Sequence, residues 1–352
     1  MTAGTASAGI GAARPEERGG RVLGLDVLRG VAIALVLARH TWPALFPGAG
    51  LVGVVVFFAL SGHLITGLLV EELDRTGRLD LRGFYARRAR RLLPALVLML
   101  AVYALVTLIL DPVGERDRLL RSLIVGLTWT ADLPFAHAGA DVFHLWTLAV
   151  EEQFYLLWPV LLLALHRRGR LRLGVAVAGV MSLLACWAVV ARLHHDPDLA
   201  YALPTTWSCA LVAGGWLRIA PPRHLPRPRV AGPLALICLA ALVGLGLLPL
   251  RGHLLTYLLG GPAIAGLTGV LLLAWGAWRT TRSDAVHLLA GLGRISYGVY
   301  LWNYPLALWL RPHDPTGLAA LALSLIAALG SWQLWERRFA APRRKGAPRA
   351  GR

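Results

Sequence analysis

Residues 92–110 read LLPALVLMLAVYALVTLIL. These nineteen positions hold no charged side chain. At ~1.5 Å per helical residue the run reaches almost 30 Å, the thickness of a bilayer's hydrocarbon core. Immediately before it stands Arg87-Arg88-Ala89-Arg90-Arg91. An apolar run that begins on a basic cluster has the pattern of a membrane-crossing helix fixed at its cytoplasmic end. Comparable runs recur at Gly50–Val70, Val230–Leu250 and Leu254–Trp278. Of the 352 residues, 57% are hydrophobic and 16% charged, against roughly 25% charged in a soluble chain. The composition excludes a soluble enzyme, a disordered chain and a disulfide scaffold. The fold class it implies is an all-α polytopic membrane protein.

Ten spans are expected, near 23–43, 51–70, 91–110, 143–165, 172–193, 204–220, 230–250, 254–278, 287–310 and 317–336. With both termini in the cytoplasm, 27 Lys and Arg fall in inside segments, six in outside loops and three within spans. That bias sets the orientation by the positive-inside rule. It also accounts for the net charge of +17 without nucleic acid, since no basic face interleaved with aromatics appears outside those loops. The apolar segment Leu119–Ala131 is too short to cross and reads as interfacial or re-entrant. Residues 1–20 lack an apolar core and read as a flexible cytoplasmic N-tail. Residues 21–338 form the transmembrane domain. Residues 339–352 form a basic disordered C-tail, and no second soluble domain is expected after Trp335. Cys186, Cys209 and Cys238 fall in apolar runs without metal-ligand spacing and read as small buried hydrophobes.

Ionisable residues inside spans are costly, which makes them functional candidates. In the first span Asp26 and Arg29 share a helical face and can pair. Arg29 and His40 are eleven positions apart, three turns along the same face and ~16 Å apart in height. The second span holds Ser61-Gly62-His63, a small-residue pair suited to close helix packing beside an intramembrane imidazole. The basic cluster that follows places Arg87, Arg88 and Arg91 within one turn. Guanidinium forks suit bidentate phosphate recognition at a cytoplasmic mouth. The fourth span opens His144-Leu145-Trp146-Thr147-Leu148-Ala149-Val150-Glu151-Glu152-Gln153. Its two carboxylates need a partner such as Arg29, a cavity or a raised pKa. A late segment, Gly293 to Pro305, adds Arg294, Asn303 and several aromatics.

In this order the motifs resemble the acyltransferase-3 family of membrane O-acyltransferases. The resemblance rests on Leu25-Asp26-x-Leu28-Arg29-Gly30 with His40, and on Phe57-Phe58-x-Leu60-Ser61-Gly62-x-Leu64-Ile65. It continues through Phe84-Tyr85-x-Arg87-Arg88-x-x-Arg91-x-x-Pro94 and Trp146-Thr147-Leu148-Ala149-Val150-Glu151-Glu152-Gln153-Phe154-Tyr155. It closes on Ile295-Ser296-Tyr297-Gly298-Val299-Tyr300-Leu301-Trp302-x-x-Pro305 and Trp335-Glu336-Arg337. The chain departs from the pattern at Val55, where an acidic residue is usual, at Asn303, where His is usual, and at His63, where Phe is usual.

The resemblance implies a ten-helix bacterial plasma-membrane enzyme that moves an acyl group from cytoplasmic acyl-CoA to a hydroxyl of a carbohydrate or glycosylated small molecule. Acetyl-CoA is the expected donor and no metal is required. By that likeness His40 is the catalytic base, Arg29 supports the acyl-CoA site, and Arg88 and Arg91, with Arg87, bind CoA phosphate. Glu151 is the acidic residue of the fourth-span motif. A carboxylate such as Glu151 or Asp26 is expected to orient the His40 ring. Ser61 is a donor-site residue that can in principle carry the acyl group. Two other readings fit the residues: acylation of a lipophilic natural product such as a macrolide on the cytoplasmic side, and a substrate transporter or flippase.

Overall fold

The computed structural model describes residues 22–133, 136–222 and 228–336. The expected N-tail (1–20) and C-tail (339–352) lie outside the described residues. The described chain is helical throughout, with no strand among the described residues. Helices α1 (Leu23–Thr41), α2 (Ala49–Thr76) and α3 (Leu81–Ile109) come first, followed by the short α4 (Leu119–Thr128). Next are α5 (Leu145–Arg167), α6 (Leu171–Arg192), α7 (Pro204–Ile219) and α8 (Pro228–Gly246). A π-helical turn over Thr256–Gly260 leads into α9 (Gly261–Trp275). The chain closes with α10 (Asp284–Arg294), α11 (Ser296–Leu310), α12 (Leu318–Ser331) and a π turn over Trp332–Glu336.

Five of the helical stretches are long and apolar enough to cross a membrane: Ala49–Thr76, Leu81–Ile109, Leu145–Arg167, Leu171–Arg192 and Thr256–Trp275. Each overlaps an expected span, but α3 begins at Leu81 rather than near 91 and so carries the Arg87–Arg91 cluster, expected in the preceding loop, within the helix. The helix α4, at 10 residues, is about 15 Å long, so Leu119–Ala131 does not cross as a helix. The expected span 287–310 is corrected to two helices. They break at Ile295 (φ −97°, ψ 8°), after the pair Gly291 and Gly293, whose helix propensity is low. A Cβ on Gly293 would strike the Asp26 carbonyl oxygen of α1, and one on Gly30 would strike that of Leu289. The two backbones therefore touch, and α10 is tied to α1 while α11 turns to pack on α12.

The core centres on α2, which packs against α1, α5, α7, α8 and α9. The tightest seam is α2 on α7, where Gly62 faces the Leu211 carbonyl and Gly214 faces that of Ala59. Small residues allow such approach where lipid, being as apolar as leucine, supplies no hydrophobic drive. The outward faces carry exposed apolar side chains, among them Leu156, Leu157 and Val160 of α5 and Leu173, Val177 and Met181 of α6. Polar groups point inward instead, toward the ends and middle of α1, α2, α5 and α11.

Candidate active site

His40 stands on the last turn of α1. Its Nδ1 lies 2.7 Å from Oδ1 of Asn303 on α11. The Asn303 amide is itself oriented, because its Nδ2 donates to Ser324 Oγ of α12 at 3.2 Å. The Ser324 hydroxyl is spent on the Ala320 carbonyl at 2.6 Å, so it accepts from Asn303. The amide oxygen then faces His40 and can only accept. Nδ1 carries the proton, and Nε2 keeps its lone pair with no hydrogen-bond partner among the described residues. Two cavities meet at this ring. One of about 170 Å³ is lined by Arg39, His144, Tyr201, Arg251, Tyr304 and others. A second, of about 160 Å³, is lined by Thr41, Arg311 and Asp314 among others. The Tyr304 ring packs on both imidazoles, 5.0 Å from His40 and 5.0 Å from His144.

A second polar cluster lies deeper. Ser61 Oγ donates to Glu151 Oε1 at 3.0 Å, and the Tyr155 hydroxyl donates to Glu151 Oε2 at 3.3 Å. Arg88 bonds to Glu152 at 2.9 Å, with the two side chains 20% and 12% exposed. Its guanidinium sits 3.4 Å over the Tyr155 ring. A third cluster joins Asp26 to Arg294 across α1 and α10 at 3.3 Å. The first two clusters are linked by one face of α5, since His144, Thr147, Glu151 and Tyr155 follow spacings of three and four. Thr147 Oγ1 lies 2.6 Å from the Tyr300 hydroxyl, which also donates to the His144 carbonyl at 2.9 Å.

The expected site residues are thus divided. His40 is at one end of the bundle. Glu151 and Ser61 are bonded to each other in its middle and line neither cavity. Arg29, three turns down α1, lines neither cavity. Arg87 and Arg91 are exposed, whereas Arg88 is committed to Glu152. The residue that orients His40 is corrected: it is Asn303, not a carboxylate, because Asp26 faces Arg294 and Glu151 faces Ser61. Sequence reasoning missed Arg39, His144, Tyr304 and Arg311, which look like span-end residues until α1, α5 and α11 converge. Gln153 of the fourth-span motif closes the loop before α5, donating to Asp132 at 2.9 Å and to the Trp129 carbonyl at 3.1 Å. Burial pushes the Asp132 carboxyl up to about 6. Among the described residues no group of three or more His, Cys, Asp or Glu could hold a metal ion.

The family model described as an acyltransferase domain matches residues 22–336. The chain belongs to the acyltransferase-3 family. Among curated proteins it is similar to the peptidoglycan O-acetyltransferase OatA of Listeria monocytogenes, 28% identical over 323 residues, or 82% of this chain and 50% of the relative. It is also similar to the O-acetyltransferase OatA of Staphylococcus aureus, 28% identical over 334 residues, or 87% of this chain and 54% of the relative. This acyltransferase-3 chain spans about half the length of the curated relatives it matches. No solved structure matches it.

Proposed function

We propose that the protein is an O-acyltransferase of the bacterial plasma membrane that moves an acetyl group from acetyl-CoA to a carbohydrate hydroxyl. The observation that carries this reading is the His40–Asn303 bond, which leaves Nε2 open beside a cavity. Family membership and the O-acetyltransferase names of the relatives supply the chemistry. In this reading residues 21–338 are the catalytic unit, with ten spans and two cytoplasmic tails. His40 then faces outward and the arginines of α3 face the cytoplasm.

The acceptor hydroxyl loses its proton to His40 Nε2 as its oxygen attacks the thioester carbonyl carbon. An imidazole suits that task near neutral pH. Collapse of the tetrahedral intermediate breaks the C–S bond, and the leaving sulfur takes the proton back from the imidazolium. The products are the acetyl ester and free CoA. Exposed Arg87 and Arg91 meet the CoA phosphates, while Arg88, neutralised by Glu152, shapes the entrance. The thioester arm follows the polar face of α5 past Ser61 and Glu151, exchanging their mutual hydrogen bond for bonds to the arm. Arg29 supports the same end. Direct transfer needs no acyl-enzyme.

The test is base-labile acetate on the cell wall of a host lacking its own O-acetyltransferase, with acetyl-CoA binding to purified protein read by thermal shift. Loss of a general base costs about 10²–10⁴-fold. His40→Ala is therefore expected to lower transfer at least ~100-fold while acetyl-CoA still stabilises the protein. Arg91→Gln is expected to weaken that stabilisation first. Full transfer by His40→Ala overturns the base assignment, and unchanged acetyl-CoA binding in Arg91→Gln and Arg87→Gln overturns the donor end.

A further inference from the structure

Three guanidiniums, those of Arg39, Arg251 and Arg311, line the cavity beside His40, and no carboxylate among the described residues lines it. Asp198 balances Arg251 at 3.3 Å. Arg311 bonds to the His40 backbone carbonyl at 3.0 Å, a neutral partner. No carboxylate among the described residues forms an ion pair with Arg39, which stands in the fields of the other two. Arg251 and Arg311 stand exposed at the cavity and Arg39 is half-buried; like charges gathered there repel one another until an anion joins them. The second observation is His144. It is 3% exposed and lines the same cavity, yet among the described residues neither ring nitrogen has a partner at hydrogen-bonding geometry. A buried donor and acceptor left unmade cost free energy that a ligand recovers. At about 170 Å³ the cavity far exceeds the ~10–15 Å³ that admits one water.

We propose that this cavity is a subsite for an anionic group on the acceptor, a carboxylate set near the reacting hydroxyl. Arg39 and Arg311 supply the charge and the planar forks that fit a carboxylate. His144 hydrogen-bonds to the acceptor with its free ring nitrogens. The subsite deepens the acyltransferase reading and rests on it: the acceptor is a sugar acid rather than a neutral sugar. The donor's phosphates are assigned to the other end of the bundle, so the same guanidiniums are not needed for CoA.

The experiment is thermal shift of the full chain in detergent with sodium D-glucuronate, with D-glucose plus matched sodium chloride as the control. Glucuronate is expected to raise the melting temperature saturably and glucose not. In Arg39→Gln the glucuronate midpoint is expected to rise about tenfold or more, the size of one charge-assisted hydrogen bond, and to recover in part in Arg39→Lys. In His144→Gln, a second route should Arg39→Gln fail to fold, it is expected to rise several-fold. The acetyl-CoA midpoint stays put in all three. Equal shifts from glucose and glucuronate, or no glucuronate shift, overturn the subsite. A loss of acetyl-CoA binding in Arg39→Gln also overturns it, and gives the cavity to the donor's phosphates. Acetyl-CoA stabilisation without glucuronate stabilisation sinks the subsite alone. The converse sinks the acyl-CoA reading and leaves the anion subsite standing.

Discussion

One amide decides which nitrogen of His40 is basic. Asn303 is held between Ser324 and His40, so its oxygen is presented to Nδ1 and the lone pair falls on Nε2. The tautomer of a catalytic histidine is commonly fixed by the bond its other nitrogen makes. Asn303→Leu removes that acceptor while keeping the branched four-heavy-atom outline of the side chain. The ring is then free to take either tautomer and to turn. The expected result is a fall in kcat of about tenfold or more, with KM for acetyl-CoA nearly unchanged, by analogy with the 10–100-fold cost of losing an orienting partner. Asn303→Asp, which keeps an acceptor oxygen at the same place, is expected to restore part of the rate. Equal loss in both variants means that Asn303 only fills space between α11 and α12. His40 was legible as a candidate from its place within a span, and its proposed role as base only from the family likeness. Asn303 was legible only as a departure from the family pattern, because nothing in a linear sequence says that position 303 meets position 40. The pairing of Glu152 with Arg88 was hidden for the same reason, since 64 residues separate them.

The elements follow the membrane's rules more closely than the residues do. Apolar runs and basic flanks placed the helices well, because length and apolarity are properties of a segment alone. The break at Ile295 was not legible, since it depends on contact between α10 and α1 at Gly30 and Gly293. The pair Ser61-Gly62 shows both outcomes in adjacent residues. Ser61 reaches Glu151, while Gly62 lets α2 lie against the Leu211 carbonyl of α7. Gly62→Val must push the two helices apart, and overpacking of this kind costs about 1–3 kcal/mol. A lowered melting temperature in detergent is expected for Gly62→Val and for Gly214→Val. Gly266 of α9 has no atom of the described residues within 4 Å of an added Cβ, so Gly266→Val is the control that stays near wild type. Should all three lose stability alike, the close seam is not what holds α2 to α7.

At the scale of the whole molecule, function depends on which end of the bundle faces which compartment. The loop between α1 and α2 adjoins His40, and the Arg-rich start of α3 lies at the opposite end of those helices. In the proposed orientation the positive-inside bias assigns the second end to the cytoplasm, where short basic loops are retained. Leu45, 61% exposed in the α1–α2 loop, and Arg78, exposed before α3, are reporters for the two ends. The native thiols Cys186, Cys209 and Cys238 are buried and unpaired, so the background in a labelling experiment is low. With a membrane-impermeant maleimide on intact cells, Leu45→Cys is expected to label and Arg78→Cys to label only after permeabilisation. With the donor and acceptor ends proposed above, that outcome has the acetyl group pass from an inner donor to an outer acceptor, a path the polar face of α5 between Glu151 and His144 would span over ~10 Å. The reverse outcome puts the His40 cavity in the cytoplasm. Acceptor and acetyl-CoA would then meet on one side, α5 would need to pass nothing across, and acylation of a small molecule inside the cell would become the better reading.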